Sequence, residues 1–165
     1  AFAACNADPD AVRPQLLAAV QALIADPDSV VGKDADQTFF FAIYLLLQWR
    51  EPALFPLLLQ MARWDEDILD ATFGDDFSVL LTQGFAACSQ ELTPLLNLAH
   101  DRNASMWTRS CAIEALALRV REGDYAKADA IAQFRLMAAP WLVDLAGMTE
   151  LAEQQDLPEA DWGEL

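Results

Sequence analysis

The chain has 165 residues, of which 55% are apolar, and its 26 acidic residues outnumber its 10 basic residues, giving a formal net charge of -16. This length suits a single domain, and the apolar fraction excludes a wholly disordered acidic chain. A basic face is needed to bind nucleic acid or anionic lipid without sequence preference, so the charge argues against both partners. The three cysteines are too scattered for a disulfide scaffold, which favours a reducing cytoplasm.

Neither the apolar runs nor the chain start predicts a membrane span or a signal peptide. The longest apolar run, from Phe39 to Leu47, has nine residues, whereas a membrane-spanning helix needs about 20. Residues Ala1–Cys5 have no preceding basic residue and no full hydrophobic segment. They are typical of the last turn of a helix, and the absence of an initiating methionine fits a trimmed N-terminus.

Helical periodicity dominates the chain. Apolar residues from Val12 to Ile24 recur on one face of a helix, and Asp10 is its predicted N-cap. Proline and glycine mark the breaks between helices, and no segment alternates as a strand does. The helices predicted in chain order are residues 11–25, 38–49, 53–64, 77–88, 91–100, 106–121, 126–139 and 140–155.

Several local features refine this prediction. The span 38–49 is nearly all apolar, which predicts burial on most sides. Pro56 and Pro94 fall in first turns, where a missing N–H is harmless, and Ser105 can cap the helix that follows it. Residues 65–76 form an acidic connecting segment in which Gly74 marks a turn or a helix end. The predicted organisation is a domain over 1–139, a packing helix over 140–155 and an acidic tail over 156–165.

A weak internal repeat indicates how the helices are arranged. Residues 53–62 read ALFPLLLQMA and residues 91–100 read ELTPLLNLAH, an offset of 38. Each copy follows a longer apolar helix after a short turn. Three helix hairpins at this spacing are typical of an α-solenoid, in which stacking buries a face that one hairpin cannot cover. The sequence therefore predicts an all-α, HEAT-like solenoid of about eight helices, with an irregular helical bundle as the alternative.

The order of segments resembles a bacterial family known as domain of unknown function 1186. The matching stretches are residues 39–62, 68–81 and 91–123. Within them, the elements that carry most weight are Trp49-Arg50-Glu51, Phe73-Gly74-Asp75, Arg109-Ser110, Glu114-Ala115-Leu116 and Glu122-Gly123. The resemblance implies a HEAT-like helical fold and no assigned activity. Many members carry a C-terminal zinc motif rich in cysteine, but this sequence has no paired cysteines after Cys111, so the resemblance implies no metal here.

The residues that could carry chemistry are few. Cys5, Cys88, Cys111 and His100 are too far apart along the chain for the close pairs of a structural zinc site. A dyad of Cys111 and His100 is conceivable, but a surface or capping role at a helix end suits His100 better. The chain has no G-x-G phosphate loop. We therefore predict no cofactor and name no catalytic residue.

Six acidic residues within 65–76 form the sharpest local feature of the sequence. Carboxylates bind Ca²⁺ and Mg²⁺, although the spacing does not match an EF-hand loop. One alternative is capping, of a helix start before Ile68 by Asp65 and Asp67 and of the helix at Phe77 by Asp75 or Asp76. The other alternative is an acidic patch that faces a partner. The candidate metal ligands are Asp65, Asp67, Asp70, Asp75 and Asp76.

Arginine and tryptophan supply the remaining candidates. In stacked helical repeats, arginines often tie one hairpin to acids of the next, and we expect Arg109 to pair with Asp101 or Asp75. A tryptophan at a helix end can bury its ring and leave its N–H hydrated. A tryptophan in the acidic tail could dock into a basic groove. The candidate interaction or structural residues are Arg50, Glu51, Arg109, Glu114, Trp49, Trp107 and Trp162.

Two functional hypotheses follow. The first is a cytoplasmic, non-catalytic protein–protein interaction module or scaffold whose acidic surface suits a partner with a basic surface. This hypothesis includes neither nucleic acid nor membrane as a partner, and it leaves the oligomeric state open. The second is an enzyme, or a protein that binds a small ligand or divalent cation, using the carboxylates of residues 65–76.

Overall fold

The computed structural model describes residues 2–30 and 38–138. The chain divides into two compact units, residues 1–125 and 126–165. All regular structure in the described ranges is helical, which confirms the prediction of an all-α fold with about eight helices. The predicted packing helix over 140–155 and the tail over 156–165 lie outside the described residues.

The first unit carries eight α-helices within its described residues, joined in places by short 3-10 turns. The helices are α1 (Phe2–Ala7), α2 (Pro9–Ala25), α3 (Thr38–Gln48), α4 (Phe55–Met61), α5 (Glu66–Phe73), α6 (Phe77–Cys88), α7 (Thr93–His100) and α8 (Met106–Glu122). The 3-10 turns are Pro27–Val30, Pro52–Leu54 and Gly74–Asp76. In the second unit, residues 127–138 are helical.

Capping residues set several of these boundaries. Ser105 caps α8 as predicted, since its Oγ accepts a hydrogen bond from the backbone N–H of Thr108 at 3.2 Å. The prolines of α4 and α7 lie in first turns, also as predicted. The prediction that Asp10 caps α2 is wrong, because Oδ1 of Asp8 accepts the N–H of Ala11 at 3.3 Å. The helix begins two residues earlier than expected, so Asp10 falls inside its first turn.

The acidic segment 65–76, for which the sequence offers a capped helix start before Ile68 as one alternative, contains helix α5. Along α5, Leu69 and Phe73 are one turn apart and buried, at 1% and 5% exposure, whereas Glu66 and Asp70 lie beside this buried face and are exposed. The spacing of the apolar residues therefore determines that this segment is helical, in spite of its many charged side chains. Gly74 ends α5 with φ +55° and ψ -141°, a conformation that favours glycine, which confirms its predicted role at a helix end.

Aromatic rings hold α5 against its neighbours. The ring of Phe73 meets Phe39 and Phe40 of α3 edge-on, with centroid distances of 5.9 and 5.6 Å. It also stacks on Trp64 at 6.4 Å. Edge-on and offset stacked rings are favourable geometries that add to the burial of the apolar surface. Phe73 thus anchors the acidic helix to the core.

Helix α6 lies at the centre of the core and packs mainly on α8, and α7 packs on α8 as well. Leu80, Leu81 and Phe85 of α6 are almost completely buried. A Cβ at Gly84 would clash with Cδ1 of Leu58 and lie 3.1 Å from Cδ2 of Leu47, so glycine permits the close approach of α4. The regular stacking of three hairpins into a solenoid stays a prediction.

Helix α3 packs chiefly on α2 and buries one face rather than most of its surface. Phe41 and Tyr44 are 53% and 41% exposed despite the nearly continuous apolar sequence. The prediction of burial on most sides is therefore wrong. The face with Phe41 and Tyr44 stays exposed because α2, α6 and the Pro52–Leu54 turn contact α3 on its other face.

Candidate functional site

An open cleft of about 350 Å³ lies between the acidic helix α5 and the start of α8. Glu66 and Asp70 are one helical turn apart and therefore share one face of α5. Asp75 joins them from the 3-10 turn that follows Gly74. Three carboxylates thus line one cleft, together with the aromatic side chains of Phe77 and Trp107.

The start of α8 positions the tryptophan of this cleft. The Ser105 cap fixes the first turn, in which Thr108 is fully buried and Trp107 is 57% exposed. Farther along the helix, Cys111 and Ala112 face the core. Because these buried residues set the rotation of α8, Trp107 stays on the solvent side. An indole exposed to this degree beside three carboxylates has no role in the core that would account for its position.

A second cleft of about 260 Å³ lies next to the first, and Glu66 lines both. Asp65, Asn103 and Ser105 supply polar groups to this second cleft. Arg63 also lines it, but its Nη1 lies 3.2 Å from Oδ2 of Asp101. That carboxylate also accepts the N–H of Asn103 at 3.0 Å, and together these hydrogen bonds lower the pKa of Asp101 below its ordinary value.

The structure does not assemble the predicted metal ligands into a metal site. Within residues 2–30 and 38–138, no three histidine, cysteine, aspartate or glutamate side chains are grouped so that they could hold a metal ion. Asp65 and Asp76 occupy the N-cap positions of α5 and α6, but neither side chain makes a capping hydrogen bond. Asp70 and Asp75 line the larger cleft with Glu66, and Asp67 lies in the first turn of α5.

The two buried cysteines are poor candidates for nucleophiles. Burial, together with a smaller contribution from the nearby charge of Glu51, raises the pKa of Cys88 to about 12, and Arg50 acts in the opposite direction. Burial also raises the pKa of Cys111, whose Sγ donates to the carbonyl of Ser78 at 3.6 Å rather than to a base. A protonated thiol is a weak nucleophile, so neither environment supports the conceivable dyad with His100.

Residues 49–51 connect three different helices to the end of α3. The indole N–H of Trp49 donates to Oδ1 of Asn6 in α1 at 2.9 Å. Nη2 of Arg50 lies 3.6 Å from Oε1 of Glu122, and Nε of Arg13 lies 2.7 Å from Oε2 of Glu51. These candidates therefore have structural roles. Arg50 also adopts a left-handed φ of 51°, which turns the chain at this point.

Two arginines of α8, Arg109 and Arg119, donate hydrogen bonds to carbonyl groups. Arg109 donates from Nε to the carbonyl of Ala99 at 3.2 Å, so the expected pairing with Asp101 or Asp75 is wrong. Arg119, which sequence analysis did not select, donates from Nη1 to the carbonyls of Ala86 and Ser89 at 3.1 and 2.9 Å. Unpaired carbonyls at the C-terminal end of a helix attract such donors, and no local sequence signal identifies which arginine reaches them.

The remaining candidates divide between the core and the surface. Glu114 accepts a hydrogen bond from Oγ1 of Thr82 at 3.3 Å, which links α8 to α6. Trp162 lies outside the described residues. Of the selected tryptophans in the described ranges, Trp49 has a structural partner and Trp107 lines the cleft. The candidate site is therefore the cleft of Glu66, Asp70, Asp75 and Trp107. Glu66 belongs to the predicted acidic cluster but was not among the candidate metal ligands.

Comparison with known proteins places this all-helical chain in a family. It belongs to the family described as protein of unknown function (DUF1186), whose profile matches residues 3–140. It is similar to an uncharacterized protein of Chlamydia trachomatis serovar D and to one of Chlamydia muridarum, each 24% identical over 123 residues. The alignments cover 74% of this chain and 49% of each relative, so the chain spans about half the length of these curated relatives. No solved structure matches the chain.

No helix within residues 2–30 and 38–138 combines the length and the apolar character that crossing a bilayer requires.

Proposed function

We propose that this domain is a non-catalytic interaction module that binds a partner protein with a basic surface. The observation that carries the proposal is the exposed indole of Trp107 in a cleft lined by Glu66, Asp70 and Asp75. Tryptophan is enriched among the residues that contribute most to protein–protein binding, because a large rigid ring loses little entropy when it is covered.

The apolar surface around Trp107 supports a protein partner over a small ligand. Met106, which directly precedes Trp107 in α8, is 62% exposed. The cleft volume of about 350 Å³ is near the lower end for a small-molecule site, and its open form would leave much of such a ligand in water. Apolar side chains beside a charged cleft are instead typical of the anchors and rim of a protein interface.

The net charge of -16 supports a basic partner. Complementary charge accelerates association and discriminates against acidic partners, while the apolar anchors supply most of the affinity. This division of roles predicts that salt weakens binding mainly through the association rate. It also predicts that reversing charge in the cleft weakens a specific complex, because like charges then face each other.

The experiment compares two double variants with the same change in net charge. Asp70→Lys with Asp75→Lys reverses charge in the cleft, and Glu91→Lys with Asp129→Lys reverses it at exposed positions that do not line the cleft. The immobilised full chain captures proteins from a lysate of its source, and each captured protein is purified and titrated. We expect at least tenfold weaker binding by the cleft variant and little change in the control. Equal loss in both variants, or no purified protein that binds, would contradict the proposal.

A further inference from the structure

We infer that the cleft recognises an arginine side chain of the partner, whose guanidinium stacks on the indole of Trp107 while its N–H groups face the carboxylates of α5. This inference rests on the proposed function and names the chemistry of the partner. It combines two independent features, an exposed aromatic face and a cluster of carboxylates that share one cleft.

The first feature is the aromatic wall. A cation placed over the face of an indole is attracted by the ring electrons, and tryptophan is the strongest side chain in this respect. Trp107 is 57% exposed, so a side chain can reach its ring without displacing any part of the core. The buried residues of α8, among them Thr108 and Cys111, hold the helix that carries it. The ring is therefore presented on a rigid element.

The second feature is the arrangement of the acids. Glu66 and Asp70 lie one turn apart on α5, and Asp75 follows the helix end at Gly74, so the three carboxylates approach the cleft from one side. Phe73 anchors this helix through its contacts with Phe39 and Phe40. The acids oppose a tryptophan carried by a different helix. A ligand in the cleft thus meets negative charge on one side and an aromatic surface on the other.

Arginine suits both sides better than lysine does. Its guanidinium is planar, stacks on aromatic rings and donates in pairs to carboxylates, and it is less strongly hydrated than the ammonium of lysine. Its aliphatic stem can also cover the side chain of Phe77, which lines the cleft and is half-buried. The cleft volume of about 350 Å³ suits one long side chain rather than a folded segment.

The test uses three acetylated and amidated tripeptides, Gly-X-Gly, in which X is arginine, lysine or citrulline. Citrulline has nearly the shape of arginine but no charge. Binding to the full chain is followed by nuclear magnetic resonance, through the backbone amide of Gly74 and the indole N–H of Trp107, which is assigned by its loss in Trp107→Phe. We expect saturable shifts with the arginine peptide, binding about threefold weaker with lysine and at least tenfold weaker with citrulline.

Variants separate stacking from simple charge attraction. We expect Trp107→Phe to weaken binding of the arginine peptide about threefold and Trp107→Leu about tenfold, since phenylalanine retains an aromatic face and leucine does not. Glu66→Gln with Asp70→Asn and Asp75→Asn should weaken it more than tenfold, and Glu91→Gln should leave it unchanged. All these side chains are exposed, so thermal melting should confirm that the variants fold.

Three outcomes would overturn the inference: equal affinity for the citrulline peptide, wild-type affinity in Trp107→Leu, or tighter binding of lysine than of arginine. A different result would contradict the proposed function. That proposal predicts a partner protein whose binding depends on the cleft, whichever side chain of the partner enters it. A captured protein that is sensitive to the cleft variant, combined with tripeptides that do not bind, would leave the proposed function intact and refute the arginine assignment.

Discussion

Nε of Arg13 lies 2.7 Å from Oε2 of Glu51, and this ion pair joins α2 to the turn that follows α3. Through Nη1, the same guanidinium also lies 2.6 Å from Oδ1 of Asp10 within α2. The side chain of Glu51 is 14% exposed, whereas that of Asp10 is 85% exposed. Because water screens an exposed pair strongly, two carboxylates that share one arginine contribute very differently to stability.

We expect Glu51→Gln to lower the free energy of unfolding by about 1–2 kcal/mol, because it removes the charge that faces Arg13. The amide oxygen can still accept the N–H of Ala53, which Oε1 of Glu51 accepts at 3.1 Å. Asp10→Asn is the matched control and should cost less than about 0.5 kcal/mol. Urea denaturation of both variants measures the difference, and equal losses would contradict the assignment.

Arg119 stabilises the end of α6 through two carbonyl groups, and its side chain is 15% exposed. We expect Arg119→Ala to lower the free energy of unfolding by about 2–3 kcal/mol, since a charged donor is lost and two carbonyls lose their partner. Arg121→Ala removes an exposed arginine from the same helical turn and should change stability by less than about 0.5 kcal/mol. Thermal or urea unfolding measures both variants. Similar losses of unfolding free energy would show that the carbonyl contacts of Arg119 contribute no more to stability than the exposed side chain of Arg121 does.

Gly84 should resist replacement even though alanine is the better helix former. Alanine in the interior of a helix gains up to about 1 kcal/mol over glycine, but overpacking a core costs about 1–3 kcal/mol. Because the new Cβ would clash with the fully buried Leu58, we expect Gly84→Ala to be destabilising. In a Leu58→Ala background the same change should become neutral or stabilising. A double-mutant cycle measures this coupling. If the changes in unfolding free energy of the two substitutions are additive, the contact between position 84 and Leu58 does not limit packing.

Asp101 provides a prediction for pH dependence. Hydrogen bonds from Asn103 and Arg63 lower the pKa of Asp101, so its contribution to stability is present above the ordinary aspartate pKa and is lost as the pH falls through the lowered value. We expect Arg63→Gln to raise the pKa of Asp101 toward its ordinary value, with Arg102→Gln as the control. Carboxyl carbon resonances followed through an acid titration measure the change. An unchanged pKa in Arg63→Gln would mean that the backbone of Asn103 alone is responsible.

Most helices were predictable because their apolar periodicity and capping residues act locally. The Ser105 cap and the first-turn prolines of α4 and α7 are confirmed. Helix α5 was absent from the predicted helices and entered only as an alternative helix start before Ile68, because six carboxylates within 65–76 obscured the buried pair Leu69 and Phe73. A search for apolar residues four apart inside the acidic segment would have found it.

Sequence alone determined the helical class and the family, and it nominated the acidic segment and Trp107 as separate candidates. Only the tertiary structure decided that Asp70 and Asp75 share one cleft with Trp107, and that Arg109 binds a carbonyl rather than Asp101. The physical reason is the distance along the chain over which each interaction acts. Helical periodicity and helix caps depend on residues within one or two turns of each other, so they can be read from the sequence. The pairing of side chains far apart along the chain depends on how each helix is rotated and which faces its buried residues force together.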